Sequence, residues 1–318
     1  MHRRHFHRLA LGTLWSAGAA TRAAAHVRWL VGAPAGSLPD VMNRELARHM
    51  SEVLGQTIVV DNRPGGAGVV VMRELLRSAP DGLTVAGTFS SQLCVTPSIV
   101  ASPPYEPVGD FTHLGLWSHS YTVLAATPES GLRSVADVLA AGRREAGRVQ
   151  IGTPGAGTPP HLALALLSMQ ASVEFGHVHF RAPDLMSAAL RNDVPLIADG
   201  VQLMRPYLAA GKLRPLAVLA PRRLSALPDV PTMTESGVPG VEPSTWHGVV
   251  GPRGMPLAWV ARFNEALRNV GDMHAFQAWN EEAGRQVDVS TPQQMRDTVQ
   301  QDYRLWKTVV QRANITLS

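Results

Sequence analysis

The stretch VRWLVGAPAGSLPD, residues 27–40, decides the fold class. A short apolar run, Val27 to Gly32, is followed by a turn of small residues and by a helical pattern that starts at Asp40. This order of strand, turn and helix places the free backbone N–H groups of a helix N-terminus beside a strand end, where anions bind favourably. Ser37 and Asp40 also have the spacing of a capping box, in which both side chains serve the helix alone. The stretch therefore predicts either an anion site or a plain helix cap.

The same alternation of apolar runs and helical patterns continues along most of the chain. Nine apolar runs predict strands, from VRWLVG near the N-terminus to HGVVGP at residues 247–252. Such alternation is typical of α/β layers with largely parallel sheets. The predicted helices lie near residues 40–54, 68–78, 134–145, 159–171, 183–191, 203–210, 257–270, 273–283 and 292–312.

Two of these helices carry clear apolar stripes at helical spacing, which predict core residues rather than a site. The stripe residues are Val41, Leu46, Met50, Val53 and Leu54 in the first helix, and Met295, Val299, Tyr303, Trp306 and Val310 in the last.

The chain length of 318 residues indicates two domains. Near residues 118–128 an apolar strand enters a new series of strands and helices, and near 217–231 a proline-rich segment leaves it. The middle third is therefore predicted to be an inserted lobe, residues 123–224, while residues 26–122 plus 225–318 form the other lobe. Two crossing segments of this kind are the construction of a hinged, two-lobed binder.

Residues 1–25 have the features of a secretory signal peptide. A basic start, MHRRHFHR, precedes an apolar run that is too short to span a membrane, and Ala23-Ala24-Ala25 fits a cleavage site. Export by the Sec or the Tat route fits, because Arg3-Arg4 resembles a twin-arginine signal. We therefore expect a periplasmic protein whose mature chain does not insert into a membrane.

Charge and cysteine content exclude several classes of function. The formal net charge of +4 belongs to residues 1–25, and the rest of the chain has 25 basic and 25 acidic residues. A nucleic-acid partner is not expected, because such binding requires a basic face. Cys94 is the one cysteine, so no intramolecular disulfide is expected. We expect Cys94 to behave as a small, partly buried apolar residue.

A second glycine-rich loop lies in IGTPGAGTPPHLALALL, residues 151–167. Thr158 is a natural N-cap, the prolines that follow it fit a first helical turn, and Gly155 and Gly157 allow positive φ and the close approach of a ligand. If both loops open onto one cleft, two positive helix ends face each other, each worth about 0.3–1 kcal/mol to a nearby anion. That arrangement favours a ligand with carboxylates and needs no arginine clamp.

Other chemistries have weaker support. The loop lacks the G-K-[ST] ending of a P-loop and the G-x-G-x-x-G order of a dinucleotide site, and the chain has no G-x-S-x-G elbow of a hydrolase. His177 and His179 lie two apart on a predicted strand and, with His161, could ligate a metal. An exported metal-assisted hydrolase using these histidines is the main alternative, although strand packing or cleft lining is the simpler interpretation.

Nine motifs in one order resemble a known family. They are PAGS-x-x-D (34–40), VVDNRPGGAG (59–68), APDG (79–82), PYEPVGDF (104–111), GTPGAGTPPHLA (152–163), HVHFR (177–181), AGKLRPLAV (210–218), LPDVPTMTESGVPGVE (227–242) and STWHGVVGP (244–252). Over almost the whole mature chain they resemble the periplasmic substrate-binding proteins of tripartite tricarboxylate transporters, the Bug receptors. The resemblance implies a periplasmic-binding-protein-like (Venus flytrap) α/β fold, with two doubly wound lobes joined by a hinge.

The resemblance also implies where a ligand binds. In this family the first loop holds a ligand carboxylate through backbone groups and ordered water, the loop 153–158 closes from the other lobe, and strand ends near Ser90-Ser91-Gln92 and Asp199 face the cleft. Asp40 and Asp199 matter most where relatives bind an amino group. The predicted ligand-binding residues are Ala35, Gly36, Ser37, Asp40, Ser90, Ser91, Thr153, Gly155, Ala156, Gly157, Thr158, Phe180, Arg181 and Asp199.

The chain departs from the family pattern at three places. Ala33 replaces an aromatic residue, Ser37 replaces a second glycine, and Phe180-Arg181-Ala182 replaces Tyr-Lys-Gly. These departures affect the identity of the ligand and not its class. If Arg181 reaches the ligand, Arg181→Ala should weaken carboxylate binding by about 1.5–3 kcal/mol, the range for hydrogen bonds to charged groups.

We therefore expect a monomeric periplasmic receptor that binds a small organic carboxylate by lobe closure and performs no chemistry, with no cofactor and no metal. The expected ligand is a di- or tricarboxylate, an aromatic acid or an acidic amino acid. The expected partner is the membrane permease of a tripartite tricarboxylate transporter. A ligand-sensing partner of a membrane sensor kinase would share this fold and site, so it remains a further alternative.

Overall fold

The computed structural model describes residues 26–100, 102–243 and 245–313, so the predicted signal peptide lies outside the described residues. The described strands are β1 (Val27–Val31), β2 (Ile58–Asn62), β3 (Thr84–Phe89), β4 (Phe111–Ser120), β5 (Thr122–Ala126), β6 (Gln150–Thr153), β7 (Gly176–His179), β8 (Leu196–Gly200), β9 (Arg214–Leu219), β10 (Thr245–Pro252) and β11 (Arg285–Val287). The described α-helices are α1 (Leu38–Leu54), α2 (Val69–Leu76), α3 (Thr96–Ile99), α4 (Val135–Arg144), α5 (Pro159–Ala171), α6 (Ala182–Leu190), α7 (Val201–Ala209), α8 (Leu257–Gly271), α9 (His274–Glu282) and α10 (Pro292–Arg312).

The strands form two sheets. The first sheet has the order β11-β4-β10-β3-β1-β2 and takes its strands from both ends of the chain, whereas the second has the order β7-β6-β8-β5-β9 and takes them from the middle. Helices cover the faces of both sheets, which confirms the predicted α/β class.

The prediction of largely parallel sheets is wrong. Of the nine pairings among the described strands, five are antiparallel. The strands next to the two crossings between the sheets are antiparallel to their neighbours; these strands are β4, β5, β9 and β10. Strands in the βαβ-type parts, such as β1 with β2 and β3, are parallel as predicted.

The chain passes between the sheets twice. On the outward passage β4 ends at Ser120 and β5 begins at Thr122, so one residue, Tyr121, separates the two strands. On the return, β9 ends at Leu219 and β10 begins at Thr245, so a much longer segment joins these two strands. The backbone N–H of Val201 at the start of α7 donates to the carbonyl of Tyr121 (3.1 Å), which ties the outward passage to the second sheet.

Alternating side chains of β1 show how the first sheet is buried. Val27, Trp29 and Val31 pack with α1, α8 and α9 on one face, while Leu30 packs with α2 and α10 on the other. Because successive side chains of a strand point to opposite faces, the five residues of β1 contribute to the core on both faces of the sheet. Leu162 and Leu166 of α5 belong to the core layer that contains α10. A helix that follows β6 of the second sheet therefore packs against the first sheet.

Helix α1 approaches the first sheet closely because of a glycine. The indole N–H of Trp29 donates to Asn43 Oδ1 (2.9 Å) beside Gly87 of β3. A Cβ atom at Gly87 would lie 1.6 Å from that same Asn43 oxygen, so no larger residue fits there. This contact sets the position of the first turns of α1.

The predicted core stripe of α1 is wrong at one residue. Val41 is 45% exposed, whereas Met42, Leu46 and Met50 are buried. The helix starts at Leu38, and the Trp29–Asn43 bond turns the face that carries Met42 and Asn43 inward. Val41 therefore faces away from the core.

Cys94 is fully buried, and burial raises the pKa of its thiol well above the usual value. This agrees with an apolar role and goes further than the partial burial expected. Within the part of the chain that the structure describes, no helix has the length and apolarity needed to cross a membrane.

Candidate ligand-binding site

A cavity of about 310 Å³ lies between the two sheets. It is bounded by the first turns of α1 and α5, the end of β3, the Tyr121 passage, the start of α7 and the start of β10. Its lining residues are Leu38, Pro39, Met42, Asn43, Phe89, Ser120, Tyr121, Thr122, Pro159, Pro160, Asp199, Gly200, Gln202, Leu203, Thr245 and His247.

No lysine or arginine is among the described residues that line this cavity. Burial of the His247 imidazole lowers its pKa to about 3, and nearby Arg285 and His119 add to this shift, so the ring is neutral. Its Nδ1 lies 2.9 Å from the hydroxyl of Ser118. A negatively charged ligand here would depend on hydrogen bonds and helix ends rather than on a formal cation.

Asp199 is the carboxylate of the cavity lining. It lies near the end of β8, is 6% exposed, and its Oδ1 accepts from the backbone N–H of Gly200 at 2.7 Å. Burial raises the pKa of Asp199 to about 6, although the Gly200 hydrogen bond opposes the shift, and none of the described residues forms an ion pair with it. The carboxyl can accept from a ligand donor, or donate to a ligand when protonated.

The hydrogen bonds at the start of α1 show whether Ser37 and Asp40 form a capping box. The carboxylate of Asp40 reaches back to the N–H of Gly36 (2.8 Å), and it also accepts from Arg44 and Asn62. Burial raises the pKa of Asp40, but these three hydrogen bonds outweigh it, so the pKa is lowered. Ser37 occupies the N-cap position with extended backbone, yet its hydroxyl donates to the carbonyl of Pro34 and accepts no hydrogen bond from the amides of the helix.

Helix α4 begins with the same Ser-x-x-Asp spacing, and there the serine does cap the helix. It begins with Ser134-Val135-Ala136-Asp137, and Asp137 likewise reaches back four residues to the N–H of Arg133. There the Ser134 hydroxyl also accepts from the N–H of Asp137 (3.1 Å). At α1 the equivalent serine does not cap, and Asp40 accepts from Gly36 and not from Ser37, whose own N–H donates to the carbonyl of Pro34, so the predicted capping box does not form.

At the start of α5, loop donors also form hydrogen bonds within their own loop and first helical turn. Gly157 donates its N–H to His161 Nδ1 (2.9 Å), and Thr158 donates its hydroxyl to the Gly155 carbonyl (2.7 Å). Gly155 and Gly157 have φ of 140° and 70°, as the glycine pattern predicted. Pro159 and Pro160 lack N–H groups, so they present ring carbons to the cavity.

The first turns of α1 and α5 therefore meet at one cavity, through Leu38, Pro39, Pro159 and Pro160. The amides of Gly36, Ser37, Gly157 and Thr158 donate within their own loops. The loop residues predicted to bind a ligand, Ala35 to Ser37 and Gly155 to Thr158, adjoin the cavity-lining prolines in sequence but are not part of the lining.

The other predicted site residues fall into three places. Ser90 and Ser91 line a smaller cavity next to the main one. Thr153 is buried, with its hydroxyl 2.9 Å from His179 Nδ1. Phe180 packs against the second sheet, and Arg181 is 87% exposed, pairs with Asp184 (2.8 Å) and lines neither cavity.

His161, His177 and His179 do come together. The ring centroid of His161 lies 5.1 Å from that of His177 and 4.4 Å from that of His179. Burial, with the two neighbouring histidines, lowers the pKa of His161 to about 4. Among residues 26–100, 102–243 and 245–313, no group of three or more His, Cys, Asp or Glu side chains is placed to hold a metal ion.

Sequence reasoning missed most of the cavity lining. Asp199 was predicted, but the apolar and hydroxyl residues around it were not, because they come from segments far apart in the chain. The passage near residues 118–128 and the STWHGVVGP motif carried the available signal, since they contain Ser120, Tyr121, Thr122, Thr245 and His247.

Two α/β sheets with a ligand-sized cavity between them define the class of two-lobed periplasmic binding proteins. The chain superposes on a structure described as periplasmic binding protein BugD with a TM-score of 0.71 and 26% identity, over 91% of this chain and 98% of that one. It also superposes on a structure described as R. palustris Rpa4515 with adipate with a TM-score of 0.75 and 27% identity, over 92% and 98% of the two chains.

The chain belongs to the tripartite tricarboxylate transporter family of receptors, TctC, whose family model matches residues 42–315. A relative from Pseudomonas sp. (strain P51), the UPF0065 protein in the tcbD-tcbE intergenic region, is 34% identical over 243 residues, which cover 76% of this chain and 72% of the relative. These findings confirm the family predicted from the nine motifs. The family consists of periplasmic substrate-binding receptors and is not a class of enzymes, so the metal-assisted hydrolase is not supported.

Proposed function

We propose that this protein captures a small organic carboxylate in the cavity between its two sheets. The observation that carries the proposal is the lining of the 310 Å³ cavity, where two helix starts meet hydroxyl, amide and apolar side chains beside Asp199. No lysine or arginine is among its described residues. Helix N-termini stabilise anions, so a carboxylate can be held without a cation. The superposed structure described with adipate supports a carboxylate as the ligand class.

Capture by closure of two lobes is part of the proposal. We assign residues 26–122 plus 225–318 to lobe I and 123–224 to lobe II, in line with the strands of the first and second sheets. Leu38 of α1 and Leu203 of α7 line the cavity from opposite lobes, yet they are 47% and 52% exposed. Closure on a ligand would cover both apolar side chains, which favours the closed state.

The proposed ligand contacts combine the loops and the cavity. Asp199 lines the main cavity, Ser90 and Ser91 line the adjoining one, and the loop residues Ala35, Gly36, Ser37, Asp40, Thr153, Gly155, Ala156, Gly157 and Thr158 position the helix starts. Phe180 and Arg181 lie further out, and their contact with a ligand would require closure.

Delivery of the bound acid to a tripartite tricarboxylate permease is the proposed role in the cell, with the receptor acting as a periplasmic monomer exported by a Sec or Tat signal. Affinity-tagged receptor loaded with its acid should retain that permease from detergent-solubilised inner membranes. Retention of a sensor kinase instead would favour the signalling alternative.

The ligand proposal is tested by melting curves with six acids, here called the acid panel: adipate, malate, citrate, benzoate, aspartate and glutamate. At a hundredfold excess over Kd, a specific acid stabilises the fold by about 2.7 kcal/mol, so at least one acid should raise Tm clearly. Glucose and zinc chloride serve as controls. A rise in Tm with glucose or zinc and with none of the acids would overturn the proposal.

A further inference from the structure

Most of the surface of the main cavity is apolar, and the apolar groups come from both lobes. Helix α1 of the first lobe contributes Leu38 and Met42. In the second lobe, the start of α5 contributes Pro159 and Pro160, and α7 contributes Leu203. A ligand held between the lobes therefore meets hydrocarbon groups from each of them.

Two of these apolar side chains, Leu38 and Leu203, are about half exposed although both line the cavity. Single exposed leucines are common on protein surfaces, but here two of them line one cavity from different lobes. Removing apolar surface from water is favourable, so a ligand that covers both leucines gains affinity from hydrocarbon of its own. The cavity walls therefore favour a ligand with an apolar body.

Three hydroxyl groups of the lining can serve one carboxylate. Ser120 and Thr245 are cross-strand partners in β4 and β10, and Thr122 begins β5. None of these hydroxyls forms a hydrogen bond with the described residues, and none is among the unpartnered side-chain atoms that are sealed from solvent. They are therefore open to a ligand, and each can donate to a carboxylate oxygen.

Asp199 acts against a second carboxylate. One of its oxygens accepts from Gly200, while the other has no partner among the described residues and is likewise not sealed from solvent. No lysine or arginine is among the described lining residues, so nothing there offsets a second negative charge. Such a charge would lose water beside apolar walls and beside a carboxyl group of the same sign, and both effects oppose binding.

We infer that the ligand carries a single carboxylate on an apolar body, as in aliphatic or aromatic monocarboxylic acids, and that Asp199, Leu38 and Leu203 select against di- and tricarboxylates. The inference rests on the proposed function and narrows its substrate class. The cavity of about 310 Å³ lies at the lower end of the range of roughly 300–1,000 Å³ for small-molecule sites, so the apolar body is small.

The test compares acids that differ only in a second carboxylate: hexanoate with adipate, and benzoate with terephthalate. In at least one pair the monoacid should bind about tenfold or more tightly than the diacid at pH 7.5 by calorimetry. Leu203→Ser should weaken the binding of that monoacid about threefold or more, because the cavity wall loses apolar surface. Leu257→Ser is the matched control: Leu257 is 85% exposed and lines neither cavity, so the affinity should stay within twofold.

The outcomes separate the inference from the proposed function. A preference below tenfold in both pairs, or a di- or tricarboxylate that binds as tightly as the better monoacid, would overturn the inference while the proposed function stands. Less than a threefold loss in Leu203→Ser would do the same. No binding by any acid of the two pairs or of the acid panel would overturn both.

Discussion

Asp199 is the residue whose environment says most about the ligand. Its carboxyl lies in the cavity without a cation, and burial raises its pKa to about 6. A ligand that brings a second carboxylate near it must either repel the ionised form or bind with Asp199 protonated. A ligand that brings an ammonium group would instead favour the ionised form.

We expect Asp199→Asn to strengthen the binding of adipate at pH 7.5 and to weaken the binding of aspartate or glutamate, if these acids bind. If adipate requires protonated Asp199, its affinity for the wild type falls by about tenfold per pH unit above the pKa, and the variant loses this dependence. Calorimetry at pH 6 and 7.5 measures both effects. The same pH profile in wild type and variant would show that Asp199 does not face the ligand.

Arg181 has the opposite environment. Its side chain is 87% exposed and already pairs with Asp184, so its charge is largely screened by water. We expect Arg181→Ala to change the affinity for acids of the panel by less than twofold. A loss of about 1.5–3 kcal/mol, the range for a hydrogen bond to a charged group, would place Arg181 on the bound ligand.

At the scale of an element, the start of α1 is held by one carboxylate. Asp40 joins the turn at Gly36, the helix at Arg44 and the strand end at Asn62. Ser37 leaves the helix amides uncapped, whereas Ser134 caps α4. The start of α1 is thus fixed in position by Asp40 and not by the hydroxyl of its N-cap serine.

Asp40→Ala should lower the free energy of unfolding by about 1–3 kcal/mol, because three donors lose a charged acceptor. It should also weaken the binding of panel acids, since Leu38 and Pro39 would no longer be held at the cavity. Asp137→Ala is the matched control: it removes the same backward contact from α4, which is remote from the lining. Equal losses of affinity in both variants would mean that binding falls only with stability.

Local elements followed from the sequence far better than the site did. All nine predicted helices lie within two residues of the observed ones, because periodicity, prolines and caps are local signals. The strand β4 was missed because it is a central strand that carries polar side chains, such as buried His113 and Ser118, and so shows neither alternation nor an apolar run. Trp306 lies in the core, as the apolar stripe of the last helix predicted.

At the scale of the whole molecule, buried ionisable groups make stability depend on pH in two opposing ways. Burial raises the pKa of Asp302 to about 6, although the hydrogen bond from Trp246 opposes the shift. A folded pKa above the unfolded value means that this group contributes stability at low pH and that the contribution is lost as pH rises toward 6. His113, His161 and His247, whose pKa values are lowered, contribute stability that is lost as pH falls below about 6.5.

The Asp302 contribution can be isolated by difference. We expect Asp302→Asn to gain about 1–3 kcal/mol of stability over wild type as pH rises from 4 to 7, because each pKa unit is worth about 1.4 kcal/mol. The Trp246 indole can still donate to the new amide oxygen. Denaturant unfolding at several pH values measures the difference, with exposed Asp297→Asn on the same helix as control. A difference that stays flat across this range would rule out a strongly raised pKa.

The single residue between β4 and β5 limits how the two halves can move. One residue spans about 3.3–3.6 Å when fully extended, so the connection through Tyr121 cannot lengthen. The two halves cannot slide apart here without breaking the ladders that hold Ser120 and Thr122, so the proposed closure would have to be a turn about this joint. In the proposed capture mechanism, the width of the opening on this side would therefore be set by an angle and not by the length of a linker.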